Sequence, residues 1–217
     1  ALQEEKLQPG PVSVISQSGS MLGSLLTRAA VRGIGYSKLV SIGNESDLSV
    51  GDLVKILAED DETKVILLFL ETIRDGAGLA AAARAAFAAG KPVIAYKLGR
   101  SAIGRRVAAS HTGAMVGGDE MAQAFFRQHG ILRVETLEGL IELPRFVEGY
   151  RPPAKKRRSV GMMTATGGAA AMIVDRLGVY GDNVAEPPAE FRATLAKEGI
   201  EISDSPLIDL PMGTGEK

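Results

Sequence analysis

Five short apolar runs recur along the chain: VSVIS (12–16), KLVSI (38–42), VILLFL (65–70), PVIAYKL (92–98) and ILRV (131–134). Near-continuous runs without polar alternation suit strands buried on both faces of a parallel sheet. Between them lie SMLGSLLTRAAVR, VGDLVKILAED, LAAAARAAFAA and DEMAQAFFRQH, each with apolar residues at helical spacing. Gly33, Gly90 and Gly130 follow three of these segments, where a left-handed cap is expected. Repeated strand–helix alternation predicts an α/β fold, a parallel sheet with helices on both faces.

After a helix expected over TLEGLIELPRFVEGY, residues 150–158 carry two prolines and the basic run Lys155 to Arg158, and read as a linker. The pattern then restarts, with a strand at SVGMMTA (159–165), the pair Gly167-Gly168 and a helix at AAAMIVDRLG. The expected organisation is a first domain over 1–149 and a partial second one over 159–217. About fifty residues follow the second strand, whereas a domain of this type needs on the order of 100.

Composition narrows the partners. A net charge of −1 over 217 residues argues against a non-specific nucleic-acid binder. The absence of cysteine excludes disulfides and thiolate metal sites, and no metal site is expected. No run approaches the ~20 apolar residues that span a bilayer, and no basic-then-apolar signal opens the chain. The expected setting is cytoplasmic, and the chain reads as a piece of a longer protein.

The first strand runs directly into Ser16-Gln17-Ser18-Gly19-Ser20 and a helix. Such a turn gathers backbone N–H groups and the positive helix end at one spot, which suits an anion. Equally, it can be a tight turn with serine as N-cap. Thr164-Ala165-Thr166-Gly167-Gly168 repeats the arrangement. The dinucleotide, Walker A and nucleophile-elbow patterns are all missing from the first turn.

Leu98 to about Gly118 reads as a connection near twenty residues long, where about 2 to 6 is usual. It contains Gly99, Gly104, Gly113, Gly117 and Gly118, and His111, one of only two histidines. A largely neutral imidazole can accept a phosphoryl group covalently if its second nitrogen is held. Glu71 closes the third strand and falls on the same sheet edge as the βα loops. It can serve that histidine or be a solvated strand-end charge. Arg100, Arg105 and Arg106 can attract phosphate or form a solvated face. His129, before Gly130 at a helix end, reads as structural.

SHTGAMVGGDE following KPVIAYKLGRS, with LETIRDG upstream and ISQSGSMLG at the start, resembles the NDP-forming (ADP-forming) acyl-CoA synthetases, the acetate–CoA ligase group related to the succinyl-CoA synthetase alpha subunit. The resemblance runs from about Gly10 to Leu143 and resumes at TATGGAAAM and SPLIDLPMGTG. It implies a flavodoxin-like domain followed by the start of a second. It also implies the reaction of a carboxylic acid, ATP and CoA to acyl-CoA, ADP and phosphate, through an acyl phosphate and a phosphohistidine. On this chain His111 would carry the phosphoryl group and Glu71 would steady it. Ser18, Gly19 and Ser20 would form one phosphate cradle, and Gly167, Gly168 and Ala169 the facing one. ATP, Mg and coenzyme A would bind mainly outside this chain, on CoA-binding and ATP-grasp domains, fused or in a separate subunit of an oligomer.

The competing expectation is a non-catalytic module that keeps the fold to bind CoA esters or phosphate. A hydrolase built on Ser18 and His111 is disfavoured by the missing elbow glycines.

Overall fold

The computed structural model describes residues 7–112, 118–149, 160–180, 184–200, 202 and 207–210, with backbone alone at 108–112 and 209. The chain divides into two compact units, Ala1–Arg151 and Pro152–Lys217.

In the first unit the elements run β1 (Pro9–Ser16), α1 (Gly19–Val31), β2 (Tyr36–Ser41), α2 (Val50–Glu59), β3 (Val65–Leu70), α3 (Gly76–Ala88), β4 (Val93–Lys97), α4 (Ala102–Thr112), α5 (Asp119–Gln128), β5 (Leu132–Val134), α6 (Leu137–Glu142) and α7 (Pro144–Val147). The five strands are all parallel, in the order β2-β1-β3-β4-β5. This is the parallel, doubly wound sheet expected from the apolar runs, in the flavodoxin-like order that the family resemblance implied. Its strand order reverses between β1 and β3, and a crevice opens at the carboxyl ends of those strands.

The central strand explains why its sequence is an unbroken apolar run. Ile66, Leu68 and Leu70 pack with α2, α3 and Phe126 of α5 on one side. Val65, Leu67 and Phe69 pack with Leu22 and Leu25 of α1 and Leu140 and Ile141 of α6 on the other. All six strand residues are buried. Alternation to two cores leaves no face for water, so β3 carries no polar position.

Local signals define the helix ends. Ser49 and Asp52 form a reciprocal capping box on α2. Gly33, Gly90 and Gly130 have φ of 62°, 75° and 69°, the left-handed caps expected of them.

Two expectations need correction. The single helix over 136–150 is broken into α6 and α7, because Pro144 lacks an N–H and its ring crowds the preceding turn. The supposed long loop contains α4. Ser101 starts that helix, its Oγ accepting from the Gly104 amide at 3.0 Å and its carbonyl from the Arg105 amide at 2.9 Å. Ala102, Ala108 and Ala109 have high helix propensity, and only Gly104 of the five glycines falls within the helix. Residues 113–117, with Gly113 and Gly117, lie outside the described residues.

In the second unit, β6 (Met162–Thr164) leads into α8 (Gly167–Val179), followed by α9 (Ala189–Lys197) and β7 (Leu207–Asp209). β6 and β7 pair in parallel, Met162 opposite Leu207 and Thr164 opposite Asp209. The expected strand over 159–165 is shorter than its apolar pattern, and α8 begins at Gly167, two residues before the helix read from the sequence.

Candidate functional site

β1 delivers Ser18 to the crevice as the N-cap of α1, in extended backbone at φ −124° and ψ 117°. Its Oγ accepts from the Met21 amide at 3.5 Å. Ser16, fully buried at the strand end, sets this geometry: its Oγ donates to the Ser18 carbonyl at 2.7 Å and accepts from the Ser18 amide at 3.1 Å. Gly19 and Ser20 then occupy the first turn of α1, whose leading amides have no acceptor within the helix. Together with the helix dipole they form a place for an oxyanion.

β3 delivers Glu71 to the same crevice, buried to 5% exposure. Ser18 and Glu71 line one cavity of about 580 Å³, with Met21, Phe69, Tyr96 and Leu98 among its walls. Gly104 and Val107 of α4 complete it. His111 lies four residues beyond Val107 on that helix, and its side chain lies outside the described residues.

The sequence reading missed two buried polar side chains here. Gln17, 8% exposed, accepts from the Glu71 amide at 2.6 Å and the Thr72 amide at 3.0 Å through Oε1. Its Nε2 donates to the Thr72 carbonyl at 3.1 Å and to Glu45. Lys97, 5% exposed, donates from Nζ to the Glu71 carbonyl at 2.8 Å and the Leu98 carbonyl at 2.7 Å. Burial and the neighbouring Arg133 guanidinium pull its ammonium down to about 8, while Asp119 and Glu71 act in the opposite direction. The one local hint is that Lys97 is a cation closing an otherwise uncharged strand, and it does not reveal the partners.

Other candidates find ordinary roles. Arg100 pairs with Glu135 at 2.9 Å and faces Asp119 at 3.9 Å, and Arg105 donates to the Arg100 carbonyl at 3.2 Å. His129 is the C-cap of α5, its ring 4.7 Å from that of Phe125. No group of three or more metal-ligating side chains occurs among the described residues, and none of their helices is long and apolar enough to cross a membrane.

The second unit repeats the first unit's turn. Thr164 Oγ1 donates to the Thr166 carbonyl at 3.2 Å and accepts from the Thr166 amide at 3.1 Å. Thr166 is the N-cap of α8 at φ −140° and ψ 115°, and Gly167, Gly168 and Ala169 form the first turn.

A doubly wound sheet with a serine-capped helix end and a buried carboxylate lining one cavity at its switch point defines the class. Residues 9–147 match the family described as succinyl-CoA ligase like flavodoxin domain, and the chain belongs to that family. It is 37% identical over 166 residues to an ADP-forming acetate–CoA ligase of Methanocaldococcus jannaschii, covering 76% of this chain and 23% of that protein. It is 36% identical to the alpha subunit of ADP-forming acetate–CoA ligase II of Pyrococcus furiosus, covering 77% of this chain and 36% of the relative. Among solved structures, the dinucleotide forming acetyl-coenzyme A synthetase 1 of Ca. Korarchaeum cryptofilum, in complex with phosphate and ADP, superposes with a TM-score of 0.81 at 31% identity, covering 95% of this chain and 44% of that one. The chain therefore spans between 23% and 36% of the length of these two curated relatives.

Proposed function

We propose that this chain is the phosphohistidine core of an ADP-forming acyl-CoA synthetase, converting a carboxylic acid, ATP and CoA to acyl-CoA, ADP and phosphate. The observation that carries the reading is the shared cavity: the Ser18 helix end and Glu71 meet at the switch point, under the helix that bears His111. In this role the His111 imidazole accepts the terminal phosphoryl group of ATP, releasing ADP, and passes it to the acid to give an acyl phosphate. The CoA thiol then displaces phosphate and gives up its proton. Glu71 holds the imidazole nitrogen that does not bear the phosphoryl group, and so keeps the other available. The amides of Gly19 and Ser20 and the Ser18 hydroxyl stabilise charge on the transferring group.

The turn at Gly167, Gly168 and Ala169 is assigned the second cradle, on the strength of the matching Thr164–Thr166 hydroxyl-to-backbone bonds. The unit that contains it is the start of a second flavodoxin-like domain beyond a linker over 150–158. The CoA and Mg-ATP sites are assigned to domains or a subunit beyond this chain, as the relative named an alpha subunit suggests. The enzyme is assigned to the cytoplasm, where ATP and CoA are available.

The test is intact mass at alkaline pH of the complete enzyme after exposure to Mg-ATP. One acid-labile phosphoryl group, lost in His111→Ala, is the expected result. An unmodified protein that nevertheless binds ATP overturns the reading in favour of a binding module.

A further inference from the structure

The dipeptide Glu71–Thr72 leaves the sheet just beyond β3, yet all four of its backbone polar groups are satisfied. Gln17 takes the Glu71 amide, the Thr72 amide and the Thr72 carbonyl. Lys97 takes the Glu71 carbonyl. Neither contact is part of the ladder, and both side chains are buried. They arrive from the ends of the two strands that flank β3, since β1 ends one residue before Gln17 and β4 ends on Lys97.

A second buried lysine shows what is unusual here. Lys91 donates to the carbonyls of Leu57 and Asp60 at 3.0 Å and 2.6 Å, closing the end of α2 at the opposite edge of the sheet. That is a helix-capping task, since carbonyls at a helix end lack partners. Lys97 caps no helix. It spends a desolvated ammonium on the backbone of one carboxylate-bearing residue and the adjoining Leu98 carbonyl. Burying an amine is costly, so such a placement calls for a reason beyond stability.

We propose that Lys97 and Gln17 are positioning residues for phosphoryl transfer: a two-sided clamp that fixes the Glu71 backbone and thereby the place of its carboxyl at the cavity wall. This rests on the assignment of Glu71 to the phosphohistidine reaction. The clamp acts through Glu71, and neither residue touches the reacting atoms. A displacement of about 1 Å in such a carboxylate is enough to slow the reaction roughly a hundred-fold.

The experiment is a double-mutant cycle on the rate of His111 phosphorylation by Mg-ATP in the complete enzyme, using Lys97→Met, Glu71→Gln and the pair, with Lys91→Met as control. Amide hydrogen exchange at Glu71 and Thr72 is read in parallel. Lys97→Met is expected to slow phosphorylation roughly ten- to hundred-fold. In the Glu71→Gln background it is expected to add less than about two-fold, because its effect runs through that residue. Exchange at Glu71 and Thr72 should rise in Lys97→Met and Gln17→Leu but not in Lys91→Met, which should lower stability only. If Lys97→Met does not fold, Lys97→Gln, which keeps a donor and removes the charge, replaces it. Additive effects in the cycle, or unchanged exchange, overturn the clamp while leaving the phosphohistidine reading intact. A wild-type enzyme that is never phosphorylated ends both.

Discussion

Ser16 and Ser18 hold each other in a two-way grip, Oγ of Ser16 donating to the Ser18 carbonyl at 2.7 Å and accepting from its amide at 3.1 Å. Thr164 and Thr166 repeat it at 3.2 and 3.1 Å in the second unit. The grip fixes the N-cap in extended backbone, so the first amides of the following helix face the strand end rather than being spent on the turn. The same hydroxyl-x-hydroxyl arrangement thus recurs in two βα turns, with the difference that Ser18 also caps its helix through Oγ whereas Thr166 makes no side-chain cap bond.

Capping and anion binding at Ser18 can be separated by substitution. Ser18→Ala removes the bond to Met21 and should lower unfolding free energy by about 1 kcal/mol. Ser18→Asp keeps a cap acceptor and should leave denaturant unfolding near wild type, while placing negative charge in the proposed phosphate cradle. Phosphorylation should then fall steeply in Ser18→Asp despite unimpaired stability. Equal phosphorylation rates in Ser18→Asp and wild type would remove Ser18 from the cradle.

Gly51 fixes how closely α2 and α3 approach. A Cβ there would stand 2.7 Å from the Gly78 carbonyl carbon and from the Leu79 amide nitrogen, both backbone atoms that cannot rotate away. Gly51→Ala should therefore destabilise by about 1–3 kcal/mol, although alanine is the better helix former. A melting temperature at or above wild type would show that the helices can separate freely.

The fold was legible because each strand announces itself: VILLFL is apolar at every position since β3 meets a core on both sides. Glu71 and Ser18 were legible as candidates because strand ends in a parallel sheet share one edge. The helical nature of residues 102–112 was not, because glycines at 99, 104, 113, 117 and 118 outweighed an alanine-rich stretch. Its apolar side chains Ile103 and Val107 are 66% and 63% exposed, so the described side chains of the helix offer no buried stripe for periodicity to detect. Gln17 and Lys97 were hidden for another reason. Their roles are long-range bonds to a backbone 54 and 26 residues away, which no local pattern encodes.

Lys97 also leaves a signature in stability. Its ammonium falls from 10.5 when exposed to about 8 in the fold, chiefly through burial and secondarily through Arg133 on β5, against the pull of Asp119 on α5 and of Glu71. Between these values the unfolded chain holds a proton that the folded chain has released, so this group makes stability rise with pH from about 8 toward 10.5. Below pH 8 both states are protonated, and the cost of the buried charge is constant, at most about 3 kcal/mol. Tyr36 enters only at the top of this window: burial raises its hydroxyl above the ordinary 10.0, so it lowers stability from about pH 10 upward, equally in wild type and variant. The measurement is denaturant unfolding of wild type and Lys97→Met at intervals from pH 7 to 10. The difference, wild type minus variant, should climb by about 2–3 kcal/mol over that range. A flat difference would mean that Lys97 keeps its ordinary proton affinity, with its ammonium charge compensated where it sits.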